Sequence, residues 1–333
     1  AVCIAVLFHA PVTYLGASYL VAFAVVGIFG TLAAFQFTPV RHFPRQTVFG
    51  EMRGLFGFSW PLMLASIIHM FLYRIDILLI GHFMDQASVG FFNAAVPIGQ
   101  LLTIIISSFS PFLLPAMTEY FAAKDMKNLS KIFSISTKWI FLLTIPAFSL
   151  MFFFPDFFLA IIFGSEYVQA ASALQIVAVG FLLAASVGPT GNFLIVIGKT
   201  HLNMINNFVA VIINVLLDII LIPKLGIIGA AVGTAIAYTF LNILALAEIF
   251  WYYKIQPYTW VYLRVTILAL LLGFALSQFY NPEKLWTGFI FFLLYGLLYL
   301  LGLKFTRCLN PDDEIILREF EIRYNRSLWW LKR

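Results

Sequence analysis

Apolar residues run along this chain in long blocks separated by short polar breaks. Ten blocks stand out, at about 1–8, 12–37, 56–80, 88–115, 130–154, 168–197, 202–222, 226–251, 258–280 and 286–304. All but the first have roughly twenty residues or more, the length a helix needs to cross a hydrocarbon layer about 30 Å thick. Blocks that long and continuous predict an all-α integral membrane protein, because a helix satisfies its own backbone groups inside lipid. The first block is too short to span and lacks the charged start and small-residue cleavage site of a signal peptide. It reads as the tail of a helix that begins upstream.

Polar residues inside the blocks fall on stripes. At 100° per residue, Ser59, Ser66, His69, Tyr73 and Asp76 share an arc of about 100°. Asn93, Gln100, Thr103, Ser107 and Ser110 do the same on the next helix, and Asn203, Asn207, Asn214 and Asp218 share an arc of roughly 60°. Such stripes face other helices or water, since polar groups facing lipid go unsatisfied. The competing reading is that they only hold the bundle together through interhelical hydrogen bonds. Four or five polar residues per helix exceed what that role needs.

Buried charges sharpen the picture, because a central Asp or Arg costs about 2.5–3.5 kcal/mol on insertion scales. Arg74, Asp76, Lys138 and Asp218 each call for a partner or water. Arg74 and Asp76 are two residues apart and point in nearly opposite directions on a helix, so they do not simply pair. Lys138 lies less than two turns after Lys131, within reach of the membrane rim. The substrate-binding or translocation candidates are therefore Tyr73, Arg74, Asp76, Asn93, Gln100, Lys138, Asn207, Asn214 and Asp218. A run of Gly226, Gly229 and Gly233 reads as close helix packing.

Composition agrees: 62% of the 333 residues are hydrophobic and 11% charged, against roughly 45–50% and about 25% in soluble domains. The net charge of +5 matters less than its placement, and no nucleic-acid partner is expected. Fifteen of the twenty Lys and Arg fall in alternate connections and only two, Lys224 and Lys284, in the others. The positive-inside rule then makes the rich side, with the C-terminus, cytoplasmic. Aromatic residues, 17% of the chain, suit interfacial belts. The tail, with Arg326 to Arg333 around Trp329 and Trp330, is placed to touch anionic membrane lipids.

An internal repeat orders these helices. Thr13–Phe37 aligns with Gly226–Phe250 at a constant offset, pairing Gly16 with Gly229, Ala22 with Ala235 and Phe37 with Phe250. Both copies end at a positive connection, as parallel repeats do. The predicted organisation is 1–37 as the last one and a half helices of a truncated N-terminal bundle, 38–55 as a cytoplasmic linker, and 56–251 as a complete six-helix C-terminal bundle. Two extra transmembrane helices follow at 258–304, then a cytoplasmic tail at 305–333. About 160 residues upstream would complete the first bundle.

Enzyme signatures are missing from the sequence. It has no phosphate-cradling Gly-Lys-Ser/Thr loop, no His/Cys/carboxylate set at metal spacing and no nucleophile elbow. Catalytic residues, metals and cofactors are accordingly not expected.

Several short motifs carry a resemblance. Arg74-Ile75-Asp76 with Ile80-Gly81, then Val89-Gly90-Phe91-Phe92-Asn93-Ala94-Ala95 and Pro115, resembles the start of the second bundle of bacterial and archaeal polysaccharide-export flippases. Phe163-Gly164-Ser165-Glu166-Tyr167, Gly198-Lys199 and Ile222-Pro223 with Gly226-Ile227-Ile228-Gly229-Ala230-Ala231 follow in the same order. The resemblance, from about residue 50 to 250, implies the multidrug/oligosaccharidyl-lipid/polysaccharide exporter superfamily, with two six-helix lobes around a cavity that opens alternately to each side. It implies a cargo of oligosaccharide on a polyprenyl phosphate or diphosphate, with Arg74 or Lys138 meeting phosphate. A coupling ion, H+ or Na+, and a functional link to glycosyltransferases belong to the same expectation. Two other readings stay open: a multidrug cation antiporter using Asp76 and Asp218, and a non-transport membrane receptor or assembly scaffold.

Overall fold

The computed structural model describes residues 12–37, 45–72, 74–280 and 285–306. Helices account for nearly all of these residues, and the described residues contain no strand. Two compact units divide the chain, Ala1–Gly57 and Phe58–Arg333. The first carries α1 (Val12–Phe37), whose large apolar residues Phe23, Val26 and Phe29 are exposed. Helix α2 (Arg45–Leu72) begins inside the stretch 38–55 expected to be linker, because counting apolar residues finds the hydrocarbon edge and not the helical turns beyond it.

In the second unit follow α3 (Ile75–Phe83), α4 (Gln86–Ala122), α5 (Met126–Phe153), α6 (Pro155–Ile162), a 3₁₀ turn (Ser165–Ala170), α7 (Ala171–Ser186) and α8 (Thr190–Val196). The order closes with α9 (Thr200–Leu225), α10 (Ile227–Tyr253), α11 (Trp260–Ser277) and α12 (Leu285–Thr306). Seven segments among the described residues are long and apolar enough to cross a membrane, from Met52–Phe83 to Trp260–Ser277. Val21–Ala33 and Thr287–Leu303 are shorter apolar stretches. The block at 1–8 and the tail from 307 onward lie outside the described residues.

Two blocks expected as single helices are interrupted. Between α2 and α3 the Arg74 N–H turns back to Phe71 O at 2.9 Å, a three-residue step that ends one helix. The next ladder restarts with Asp76 in its first turn, where a carboxyl suits the positive end of the helix dipole. Between α7 and α8, Gly188 takes a left-handed φ of 78°, and a β-carbon there would collide with the Thr137 hydroxyl. Hydropathy reads side chains, so neither backbone break was visible to it. Helix α6 falls between the apolar blocks 130–154 and 168–197, and Pro155 at its start favours helix initiation.

The remaining ends are set locally. Asp85 caps α4 by accepting from Ser88 N at 2.9 Å, and Asp125 caps α5 by accepting from Asn128 N at 3.1 Å. Hydrogen bonds from Ser88 and Asn128 hold the two carboxyls below their usual range, so the caps stay ionised at neutral pH and weaken only as pH falls through the lowered values. Pro97, Pro111 and Pro115 sit within α4 without ending it.

Helix α7 packs on α4, α5 and α10, while α9 packs on α10 and α3; α11 lies against α5 and α12. Close approach of α7 to α10 depends on Gly180, whose missing β-carbon leaves room for the Ala235 backbone. The main core runs from Phe92 through Phe148 and Phe181 to Tyr238 and Tyr262. A second cluster, including Phe112, Met117, Phe133, Phe193 and Ile249, joins the far ends of α4, α5, α8 and α10.

Candidate functional site

The polar stripes converge on three separate places in the second unit, each with its own chemistry. At the break between α2 and α3, Arg74 meets the α4 stripe: Asn93, Pro97 and Gln100 line one pocket of about 300 Å³ with it, closed by Met70, Ile77, Phe92 and Val96. The guanidinium offers several N–H donors in a fixed plane, and the two amides add both donors and acceptors. Among the described residues no acidic side chain lines this pocket. Such a combination suits an oxyanion with polar substituents nearby.

Two residues beyond Arg74, Asp76 turns inward to a different partner set. Its Oδ2 accepts a hydrogen bond from Thr234 Oγ1 of α10 at 2.7 Å. The carboxyl of Asp218, from α9, faces it, with Asn214 alongside. Asp76, Asn214, Asp218 and Thr234 are each at most 3% exposed. Asp76 Oδ1, both Asp218 oxygens and both polar atoms of the Asn214 amide make no well-formed hydrogen bond. Buried polar atoms are costly when left so. Gly233, read from sequence as packing, instead makes room for this cluster: a β-carbon there would strike Asp218 Oδ1 and come within 3.5 Å of Asn214 Nδ2.

The third place is a larger pocket of about 450 Å³ between α2, α4, α8, α9 and α10. Ser66, His69, Thr103, Ser107, Asn203, Asn207, Thr190 and Asn242 supply its polar lining, among Leu62, Ile106 and Leu241. Its hydroxyls are anchored to their own helices: Ser66 donates to Leu62 O at 2.9 Å, Thr103 to Gln100 O at 2.7 Å and Ser107 to Thr103 O at 3.0 Å. Each keeps oxygen lone pairs free to accept. Thr190 Oγ1 lies 3.3 Å from Asn242 Oδ1, and the Asn242 amide is held by the Tyr238 carbonyl at 2.9 Å. Tyr238 is fixed in turn between His69, edge-on at 5.9 Å, and Phe181, at 4.9 Å.

Of the nine residues expected from sequence, Arg74, Asn93 and Gln100 thus share one pocket, and Asp76, Asn214 and Asp218 share one buried cluster. Asn207 belongs to the third place, donating to Asn203 O at 2.8 Å. Lys138 is buried on α5 and lines none of the three. Tyr73 lies outside the described residues. Thr234 and Asn242 were missed. Their signal was a polar spacing of four, Thr234, Tyr238 and Asn242, on a helix whose small residues drew the packing reading. Among the described residues no group of three or more His, Cys, Asp or Glu could hold a metal.

Comparison with known proteins follows the same lines. Residues 1–172 match the family described as Polysaccharide biosynthesis protein. Over 190 residues the chain is 28% identical to the "Probable low-salt glycan biosynthesis flippase Agl15" of Haloferax volcanii, covering 57% of this chain and 40% of that protein. It is 24% identical over 153 residues to the "Teichuronic acid biosynthesis protein TuaB" of Bacillus subtilis, covering 45% and 31% respectively. The matched stretches span less than half the length of these relatives. The solved structure "Lipid II flippase MurJ, inward closed conformation" aligns with 78% of this chain and 55% of its own, with a TM-score of 0.60 at 18% identity, a likeness of fold. With the family match covering 172 of 333 residues and seven apolar spans in that fold, the chain is a multi-pass membrane protein of the polysaccharide biosynthesis protein family.

Proposed function

We propose that the chain acts in a flippase that carries an oligosaccharide linked to a polyprenyl phosphate or diphosphate across the cell membrane by alternating access. The observation that carries this reading is the Arg74, Asn93 and Gln100 pocket, cationic and without an acidic side chain among the described residues that line it. A phosphate crossing the hydrocarbon layer needs a compensating charge, and a planar guanidinium supplies it with directed hydrogen bonds. A glycan loses many water partners at once, and the hydroxyls and amides of the larger pocket replace them.

In this reading the second unit is a six-helix lobe with α11 and α12 appended, a further lobe faces it, and the C-terminus is cytoplasmic. The Asp76 and Asp218 pair serves coupling. Two buried carboxyls facing one another need a proton or a small cation between them for charge balance, and Asn214 and Thr234 add neutral oxygens of the kind a hard cation takes. H+ and Na+ both fit. A multidrug cation antiporter would want acidic residues lining its drug pocket, whereas the described residues lining the two polar pockets include none.

The test is deletion of the gene in its native cell. Lipid-linked glycan should accumulate while surface glycan falls, with drug sensitivity little changed. Unchanged surface glycan together with increased sensitivity to cationic dyes would reject the flippase in favour of the antiporter.

A further inference from the structure

The larger pocket carries a restriction on cargo that the flippase reading alone does not. Seventeen of the described residues line it, and none of these is Asp, Glu, Lys or Arg. Glu248 of α10 accepts from the Asn206 amide at 2.8 Å and is not among the lining residues. The polar lining includes Thr103, Ser107, Asn203, Asn207 and Asn242 beside aliphatic side chains, together with His69. A pyranose has the same mixed surface, hydroxyls around its rim and C–H groups on its faces. The volume, about 450 Å³, falls within the range of roughly 300–1,000 Å³ typical of small-molecule pockets.

We infer that this pocket seats an uncharged sugar residue, recognised through hydroxyl and amide groups alone, and that it discriminates against uronates and phosphosugars. The inference rests on the flippase reading and adds the class of sugar. A carboxylate entering the cavity would give up hydration and meet no opposing charge, which costs far more than an unmatched hydroxyl. The amides favour sugars for a positive reason as well. Asn203 Oδ1, which accepts from the Asn207 amide at 3.3 Å, and the Asn242 amide lie on the lining, and an amide both accepts from and donates to a sugar O–H. Anion recognition is kept apart, at Arg74. Thr103 and Ser107 follow Gln100 on the same face of α4, and at 1.5 Å per residue the two groups are centred about 13 Å apart. The cargo's phosphate and a sugar can therefore occupy the two pockets together.

The purified chain in lipid nanodiscs is probed by saturation-transfer NMR with methyl glucoside and methyl glucuronide. The glucoside should give transfer, weakened about fivefold for each amide removed in Asn203→Leu and Asn242→Leu, and the glucuronide should give at least about fivefold less. Thr103→Lys should reverse the preference, a gain that a misfolded variant cannot show. Equal or stronger glucuronide transfer in the unaltered chain, or glucoside transfer indifferent to all three substitutions, overturns the inference. Failure of the gene deletion to alter surface glycan would reject the flippase while leaving this binding result standing, so the two readings fail separately.

Discussion

Thr234 donates its hydroxyl to Asp76 across a sequence separation of 158 residues. That bond ties the first turn of α3, just after a helix break, to the middle of the α9 and α10 pair. Replacing Thr234 by Val keeps the shape and leaves Asp76 Oδ2 unpaired in a buried site, at a cost of about 1–3 kcal/mol. Thermal unfolding should show Thr234→Val well below the parent and Thr234→Ser close to it. Equal melting of all three would mean the bond contributes nothing.

Coupling should respond differently from cargo binding. Asp76→Asn and Asp218→Asn remove charge from the buried pair with little change in volume, so transport should lose its dependence on a proton or sodium gradient. Membrane abundance should hold. Transport assayed in vesicles with imposed gradients separates these; gradient dependence retained in both variants would remove the pair from any coupling role.

Arg74→Ala should reduce export of lipid-linked glycan by about tenfold or more, the effect of losing a charge-assisted hydrogen bond of about 1.5–3 kcal/mol. Arg74→Lys should recover part of it, because a lysine supplies charge without the planar fork. Surface glycan and membrane abundance measured together decide this. Abundance falling in step with export would support a purely structural Arg74.

Gly233→Ala places a methyl against the Asp218 carboxyl in a packed interior, which should cost about 1–3 kcal/mol. Protein yield and melting temperature should both fall, and more than for Gly296→Ala, where a β-carbon meets nothing within 4 Å.

Charge alternation predicts a sidedness that labelling can test. Cysteines introduced near Asp85, Glu166 and Lys284 should react with an impermeant reagent from outside, and ones near Lys127, Lys254 and Arg318 should not. Labelling of all six from one side would overturn the topology.

Much of this architecture was legible in the sequence, because hydropathy and the 3.6-residue period are set by lipid and helix geometry alone. Asn93 and Gln100 were read onto one face, and they do line one pocket. The period gives a face, however, and leaves open which neighbour covers each turn of it. Asn207 and Asn214 share a stripe on α9, yet one meets a pocket and the other a pair of carboxyls two turns away. Breaks at Arg74 and Gly188 were hidden for a related reason: the backbone leaves the helix where flanking side chains stay apolar. Thr234 was masked by its small neighbours.

Helix α4 has 37 residues, a rod about 55 Å long set against hydrocarbon about 30 Å thick. One end is stapled into the Phe112, Met117 and Phe133 cluster, and the other carries Asn93 beside Arg74. Asn93 lies about 32 Å along the helix from that clamp, so rotating such a lever by about 10° would sweep it through roughly 6 Å, and a small adjustment at the clamped end reaches the anion pocket as a large displacement.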